Sequence, residues 1–295
     1  MSMSGPPNIL KRLLWRGRAA LSTRLLISNP YVPDTFLPYK GDEASYLLLK
    51  SEDDGQERSG FPLPPDHLRR YICYGETPEL FLNSGKEHFE IMKIILSNSG
   101  FFIESANRIL DFGCGAGRMI RWLSNSIEQC QIWGVDIQAE HIYWCQQHLS
   151  PPFKFITVTT APYLPFENRY FDLIYCGSVF SHIDDLADTW LLELKRILRP
   201  GGNLYITVCD KHSLQQLKIG NPLWWEEMIR LYEKKLIGQA MIGHVDFNMF
   251  TIGRGHTSYV FYDINYLQQH WGSFLDVISV SQDAWGEQTA ILLKK

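Results

Sequence analysis

A chain of 295 residues with 45% hydrophobic composition can bury a core of enzyme size, and it only slightly exceeds the usual single-domain length. One domain with appendages is therefore expected. The formal net charge of −4 argues against a large nucleic-acid footprint, and six cysteines without a CxxC pair read as buried thiols of a cytoplasmic protein rather than disulfides or zinc ligands.

Residues 1–60 form a basic extension and loop. The first 33 hold Lys11, Arg12, Arg16, Arg18 and Arg24 without an acid, interleaved with Leu10, Leu13, Leu14, Trp15, Leu21, Leu25 and Leu26. Five cations exclude a simple transmembrane span, and Gly17 weakens a continuous helix. Two readings stay open: a helix packed on the domain, or a weak contact with an anionic membrane surface or a partner. No signal-peptide pattern is expected here, and residues 50–60 read as an exposed polar loop.

Residues 61–107 read as a helical arm. The prolines at 62, 64 and 65 force an extended entry, after which Asp66 can cap a short helix. Thr77-Pro78-Glu79 and Ser84 look like helix starts, leading through Phe89, Met92, Ile95 and Leu96 towards the first strand.

From residue 108 the pattern changes to alternating strands and helices. The apolar run 108–112 enters the turn Gly113-Cys114-Gly115-Ala116-Gly117, in which alternate glycines permit positive φ and close approach of a ligand. An amphipathic helix is predicted over 117–128, with unpaired amides at its start. A dinucleotide fingerprint fails, because Arg118 and Ile120 stand where its third glycine would be. Further strands are predicted near 131–135, 153–158, 171–176 and 203–209, with helices near 139–149 and 185–198, the last capped by Asp184 or Asp185.

The D-x-G-x-G-x-G segment from Asp111 to Gly117, the strand ending in Asp136, the run Leu164-Pro165-Phe166 to Phe171-Asp172 and on to Tyr175, and Leu194-Lys195-Arg196-Ile197-Leu198-Arg199-Pro200-Gly201-Gly202 as the turn before the fifth strand follow one another in an order that resembles the class I S-adenosylmethionine-dependent methyltransferases. The resemblance implies an α/β fold: a Rossmann-like, seven-stranded, mostly parallel sheet with an antiparallel final strand, here with an N-terminal arm and an inserted lid. The last two strands would be 275–280 and 289–293. S-adenosyl-L-methionine is the implied cofactor, held by Asp111, Gly113, Cys114, Gly115, Gly117, Asp136, Ile137, Thr160, Ala161 and Gly177. Asp136 would take the ribose hydroxyls. Thr160 stands where relatives usually carry an acid, so the adenine amino group would meet a weaker acceptor. Residues 61–75 resemble an arm that folds over the cofactor, with Arg70 or Tyr74 reaching the methionine end.

Within a catalytic domain spanning 108–295, the connection 210–262 is long and aromatic-rich, with a helix predicted over 224–237. It is expected to be the acceptor-side lid, the alternative being a homodimer interface. Asp263 should cap the helix leading to Trp271. For an oxygen acceptor a base helps, and His182 after the fourth strand or His256 in the lid are the candidates, against a structural role for each; His244 is a third. The chain lacks the motifs of nucleobase amino or pyrimidine C5 methylation, and helix capping accounts for Asp184-Asp185 without a metal. A metal-free O-methyltransferase of a secondary metabolite, lipid or glycan is the leading reading. A small amine as acceptor, a protein substrate using the aromatic insertion as a groove, and a fold that has lost its cofactor are the alternatives.

Overall fold

A computed structural model describes residues 60–69, 77–125, 130–220, 249–252 and 259–295. The basic extension, Arg70, Tyr74, the helix expected over 224–237, His244 and His256 lie outside the described residues. The strands are β1 (Arg108–Phe112), β2 (Gln131–Asp136), β3 (Lys154–Thr157), β4 (Phe171–Cys176), β5 (Leu198–Asp210), β6 (Met249–Ile252), β7 (Tyr259–Tyr262), β8 (Asp276–Trp285) and β9 (Gln288–Lys294). The helices are α1 (Asp66–Arg69), α2 (Pro78–Asn98), α3 (Ala139–His148), α4 (Ala187–Ile197), α5 (Lys211–Gly220) and α6 (Ile264–Trp271).

β3, β2, β1, β4 and β5 lie side by side and parallel, β9 joins β5 antiparallel, and β8 joins β9 antiparallel. These are the seven expected strands. Every residue of β1 after Arg108 and all of β4 are buried, as central parallel strands covered on both faces require. The two-residue side-chain period sorts them between two cores. Ile109, Leu173 and Tyr175 face Met92 and Leu96 of α2, whereas Leu110, Phe112 and Ile174 face Trp190, Leu191 and Leu194 of α4. Among the described residues no helix is long and apolar enough to cross a membrane.

Several local expectations need correction. Part of the 210–262 insertion is sheet: β6 and β7 form an antiparallel pair, and β7 lies parallel to the last two residues of β5. Phe261 and Tyr262 are accordingly core residues, and the Tyr262 hydroxyl donates to the Ile183 carbonyl at 2.6 Å. The segment after the glycine turn is a 310 helix over Ile120–Asn125, and Gly117, where the helix was expected to begin, has a φ of +78°, outside the helical region. Ser84 lies inside α2, whose cap is the Thr77 hydroxyl, and bonds back to the Leu80 carbonyl. α4 starts at Ala187 without a side-chain cap; the Asp184 carboxylate accepts instead from the amide of Asp185. Pro200-Gly201-Gly202 does not precede β5 but is an irregularity within it, between the Phe171–Leu198 and Leu173–Asn203 pairings. Asp263 does cap α6, through the Tyr266 amide.

The aspartate of the Phe171-Asp172 pair joins three strands at their amino ends. Its buried carboxylate accepts from the amides of Asn107 and Arg108 at 2.6 and 2.8 Å and pairs with Arg199 at 2.6 Å. Asp172→Ala strands two amides at the entry to β1, so we expect a loss of about 2–4 kcal/mol in urea unfolding. A loss below 1 kcal/mol contradicts this role. Arg199 is half exposed and contributes little of it.

Candidate functional site

The carboxyl ends of β1, β2 and β4 come level because Phe112 pairs with Val135 and Asp111 pairs with Tyr175. Gly113, Asp136 and Gly177 thus leave the sheet together. In open α/β sheets this edge is where ligands bind. Thr160 and Ala161 follow β3 on the same edge, half-buried and exposed respectively, and Ile137 packs partly into the α4-side core.

The glycine turn takes the left-handed conformation at every second residue, with φ of +84° at Gly113, +51° at Gly115 and +78° at Gly117. It hooks onto β2 through the amides of Gly113 and Cys114, both donating to the Val135 carbonyl. Asp136 completes the attachment. One carboxylate oxygen accepts from the Gly115 amide at 2.8 Å and the other from the Gln138 amide at 2.8 Å. A carboxylate has about four acceptor positions, so two remain after these bonds, on a residue that is only partly buried. Cys114 is a buried thiol whose pKa is pushed up by burial and by its neighbour Cys145, so it packs rather than reacts.

Beneath the turn lies a buried polar cluster that takes up Asp111, the first residue of the glycine motif and one expected at the cofactor. Asp111 accepts from the Tyr175 hydroxyl at 2.8 Å. Burial raises its pKa to about 7, against the pull of the Tyr175 hydrogen bond. Arg118, which the amphipathic-helix reading would have left in solvent, is buried: it donates to Ser84 and His88 of α2, and its guanidinium lies 4.4 Å from the Trp285 ring. The Trp285 ring in turn stacks near His88 and fills the space where a Cβ on Gly177 would fall, 2.1 Å from ring atoms. A glycine is therefore required at 177 by packing.

His88 and Asp111 respond to pH with opposite signs. Burial, then Arg118, lowers the His88 pKa from 6.5 to about 3, so its contribution to stability is present above 6.5 and lost on acidification. The Asp111 pKa rises from 3.8 to about 7, so its contribution is present at low pH and lost as pH rises through 7. Between about pH 4 and 6.5 the two slopes oppose each other, each at most about 1.4 kcal/mol per pH unit. Asp111→Asn removes one of them. Its stability in urea should climb more steeply with pH over that range than the wild type's; an unchanged slope contradicts the assignment.

Two further devices shape the edge. The 61–69 segment lies against the glycine turn: Arg121, fully buried, donates to the carbonyls of Gly117 and Pro62 at 3.0 and 3.3 Å, and His67 meets Glu140 of α3 at 3.0 Å. On the other side, Glu193 of α4 accepts from the Leu164 amide at 2.6 Å, while Arg196 grips Glu193 and the carbonyls of Leu164 and Phe166. This clamp fixes the Leu164-Pro165-Phe166 loop. His182 ends a 310 turn after β4; its ring is exposed, 5.4 Å from Tyr259 of β7.

Residues 110–206 match a family model described as a methyltransferase domain. The chain is 28% identical over 110 residues to a malonyl-[acyl-carrier protein] O-methyltransferase of Hahella chejuensis, covering 37% of this chain and 39% of the relative. A fatty-acid O-methyltransferase of Mycolicibacterium smegmatis is 29% identical over 144 residues, 43% of this chain and 52% of the relative. A phthiotriol/phenolphthiotriol dimycocerosates methyltransferase of Mycobacterium leprae is 34% identical over 101 residues, 34% of this chain and 37% of the relative. The chain thus spans about two fifths to half of the length of these curated relatives. Among solved structures, a chain from the complex between the Haloferax volcanii Trm112 methyltransferase activator and a putative methyltransferase shares the fold, with a TM-score of 0.50 at 14% identity, covering 73% of this chain and 92% of that one.

Proposed function

Because this chain carries a class I S-adenosylmethionine-dependent methyltransferase domain, we propose that it transfers the cofactor's methyl group to an oxygen of a small-molecule acceptor, a secondary metabolite, lipid or glycan. The observation that carries the reading is the Asp136 carboxylate, tied by two amides yet left with two acceptor positions, beside three glycines in the left-handed region. That donor and acceptor set fits a ribose with two free hydroxyls and a chain lying close over the turn. S-adenosylmethionine supplies an already electrophilic methyl carbon. What remains for the protein is to hold the acceptor heteroatom in line at roughly 3–3.5 Å and to exclude water.

We assign Gly113, Cys114, Gly115 and Gly117 to backbone contact with the cofactor, and Ile137, Thr160 and Ala161 to the adenine side. Asp111 and Gly177 support the turn and the reacting edge from below. The names of the malonyl-carrier, fatty-acid and phthiotriol relatives favour an acyl or lipid-like acceptor over a protein. The basic segment 1–33 would suit such an acceptor by keeping the enzyme near an anionic surface.

The test is transfer of label from methyl-labelled S-adenosylmethionine to a panel of fatty acids, long-chain alcohols, phenols and amines. Label in an ester or ether is expected. Label only in amines overturns the oxygen assignment, and a protein that binds the cofactor but labels nothing in the panel overturns the acceptor class.

A further inference from the structure

The carboxyl end of β5 carries a histidine that the sequence pattern did not mark. His212 is the second residue of α5, and its Nε2 lies 2.6 Å from a carboxylate oxygen of Asp283. Its position is fixed from two sides. Asp210, buried at the end of β5, accepts from the amide and hydroxyl of Ser213 and from the Thr289 hydroxyl, which anchors the first turn of α5 to β9. Asp283 holds the ring from β8, where the pairing with β9 is irregular and its φ is +55°, a conformation uncommon outside glycine that aspartate takes more readily than most residues.

The location suits chemistry at the reacting edge. Trp285, two residues beyond Asp283, is seated against Gly177 at the end of β4. Ser178, the next residue, is also left-handed at φ +56° and is held through Thr207 and Gln288 of β5 and β9. The His212 ring is only 13% exposed, so it is enclosed as well as oriented. Among the described residues its Nδ1 has no hydrogen-bond partner.

We propose that His212 accepts the proton of a hydroxyl acceptor and that Asp283 is its positioning residue; this rests on the methyl-transfer reading above. With Nε2–H donated to Asp283, the neutral ring presents the Nδ1 lone pair. The acceptor's O–H bond breaks and its proton passes to Nδ1. The oxygen's electron pair forms the bond to the methyl carbon, and the pair of the broken carbon–sulfur bond stays on sulfur. The products are a methyl ether, S-adenosylhomocysteine and the imidazolium of His212. A carboxylic acid is already ionised at neutral pH and gains nothing from such a base. The pair therefore marks a hydroxyl acceptor.

Two measurements on the full chain test this. In 15N spectra of histidine-labelled protein, His212 should carry its proton on Nε2, and Asp283→Asn should disturb that signal; a proton on Nδ1 overturns the proposal without any assay of activity. In methyl transfer to 1-decanol and to decanoate, His212→Ala should lower kcat for the alcohol 10²-fold or more, with S-adenosylhomocysteine affinity unchanged and at least tenfold recovery in imidazole. His270→Ala, on α6 and paired with Asp188, serves as the comparison and should lose less than tenfold, and His212→Gln replaces the alanine variant if that one does not fold. Equal losses on both acceptors, no recovery in imidazole, or a wild type that methylates decanoate but not decanol each overturn the role of His212. A wild type that binds S-adenosylhomocysteine yet methylates neither compound overturns the lipid-like acceptor class of the reading above instead.

Discussion

Asp136→Asn is expected to weaken binding of S-adenosylhomocysteine by 10²-fold or more, about 2.7 kcal/mol, in a protein that remains folded. The carboxylate accepts the amides of Gly115 and Gln138 on opposite oxygens. An asparagine can satisfy only one of them, because its NH2 group then faces the other N–H. The turn loses its attachment at Gly115, and the ribose loses one charged acceptor, each such bond being worth about 1.5–3 kcal/mol. Calorimetry on the variant measures the change, with near-ultraviolet circular dichroism reporting that the core is intact. Affinity within threefold of wild type would show that the carboxylate does not face the cofactor.

Gly113→Ala should destabilise the protein by about 2–5 kcal/mol. Two costs add: a left-handed φ of +84° at a residue with a Cβ, about 1–2 kcal/mol, and overpacking, about 1–3 kcal/mol, because that Cβ would stand 2.3 Å from Cγ2 of Val179. They can be separated. Val179→Ala in the same chain removes the collision and leaves the backbone cost, so the double variant should be less destabilised than the sum of the two single variants. Strict additivity in urea unfolding would mean that Gly113 and Val179 are not in contact.

The sheet was legible because its strands are short apolar runs set off by turn residues, and the helices after β2 and before β5 show the 3.6-residue period. The edge of the site was legible for the same reason, since Gly113, Asp136 and Gly177 each end a strand that pattern alone locates. What pattern could not supply was long-range pairing. Arg118 and Arg121 read as the solvated face of a helix, yet α2 and the 61–69 segment bury them, a fact encoded some 30 to 60 residues upstream. Glu193 and Arg196 look like an ordinary i, i+3 pair on a helix surface, and only the folded chain brings the Leu164 amide to them. His212 and Asp283 are 71 positions apart in unrelated elements. Phe261 and Tyr262 looked like lid residues because aromatic richness does not distinguish a lid from an added hairpin; their alternation with residues of β6 is too short, at four residues per strand, to stand out.

The most direct test of the central claim is a crystal structure of this chain grown with S-adenosylhomocysteine. In it the ribose hydroxyls should donate to both oxygens of Asp136, the homocysteine chain should lie over Gly113 to Gly117, and the sulfur should face the edge formed by Gly177 and Ser178. A ligand bound elsewhere, or one whose ribose does not touch Asp136, would contradict that claim.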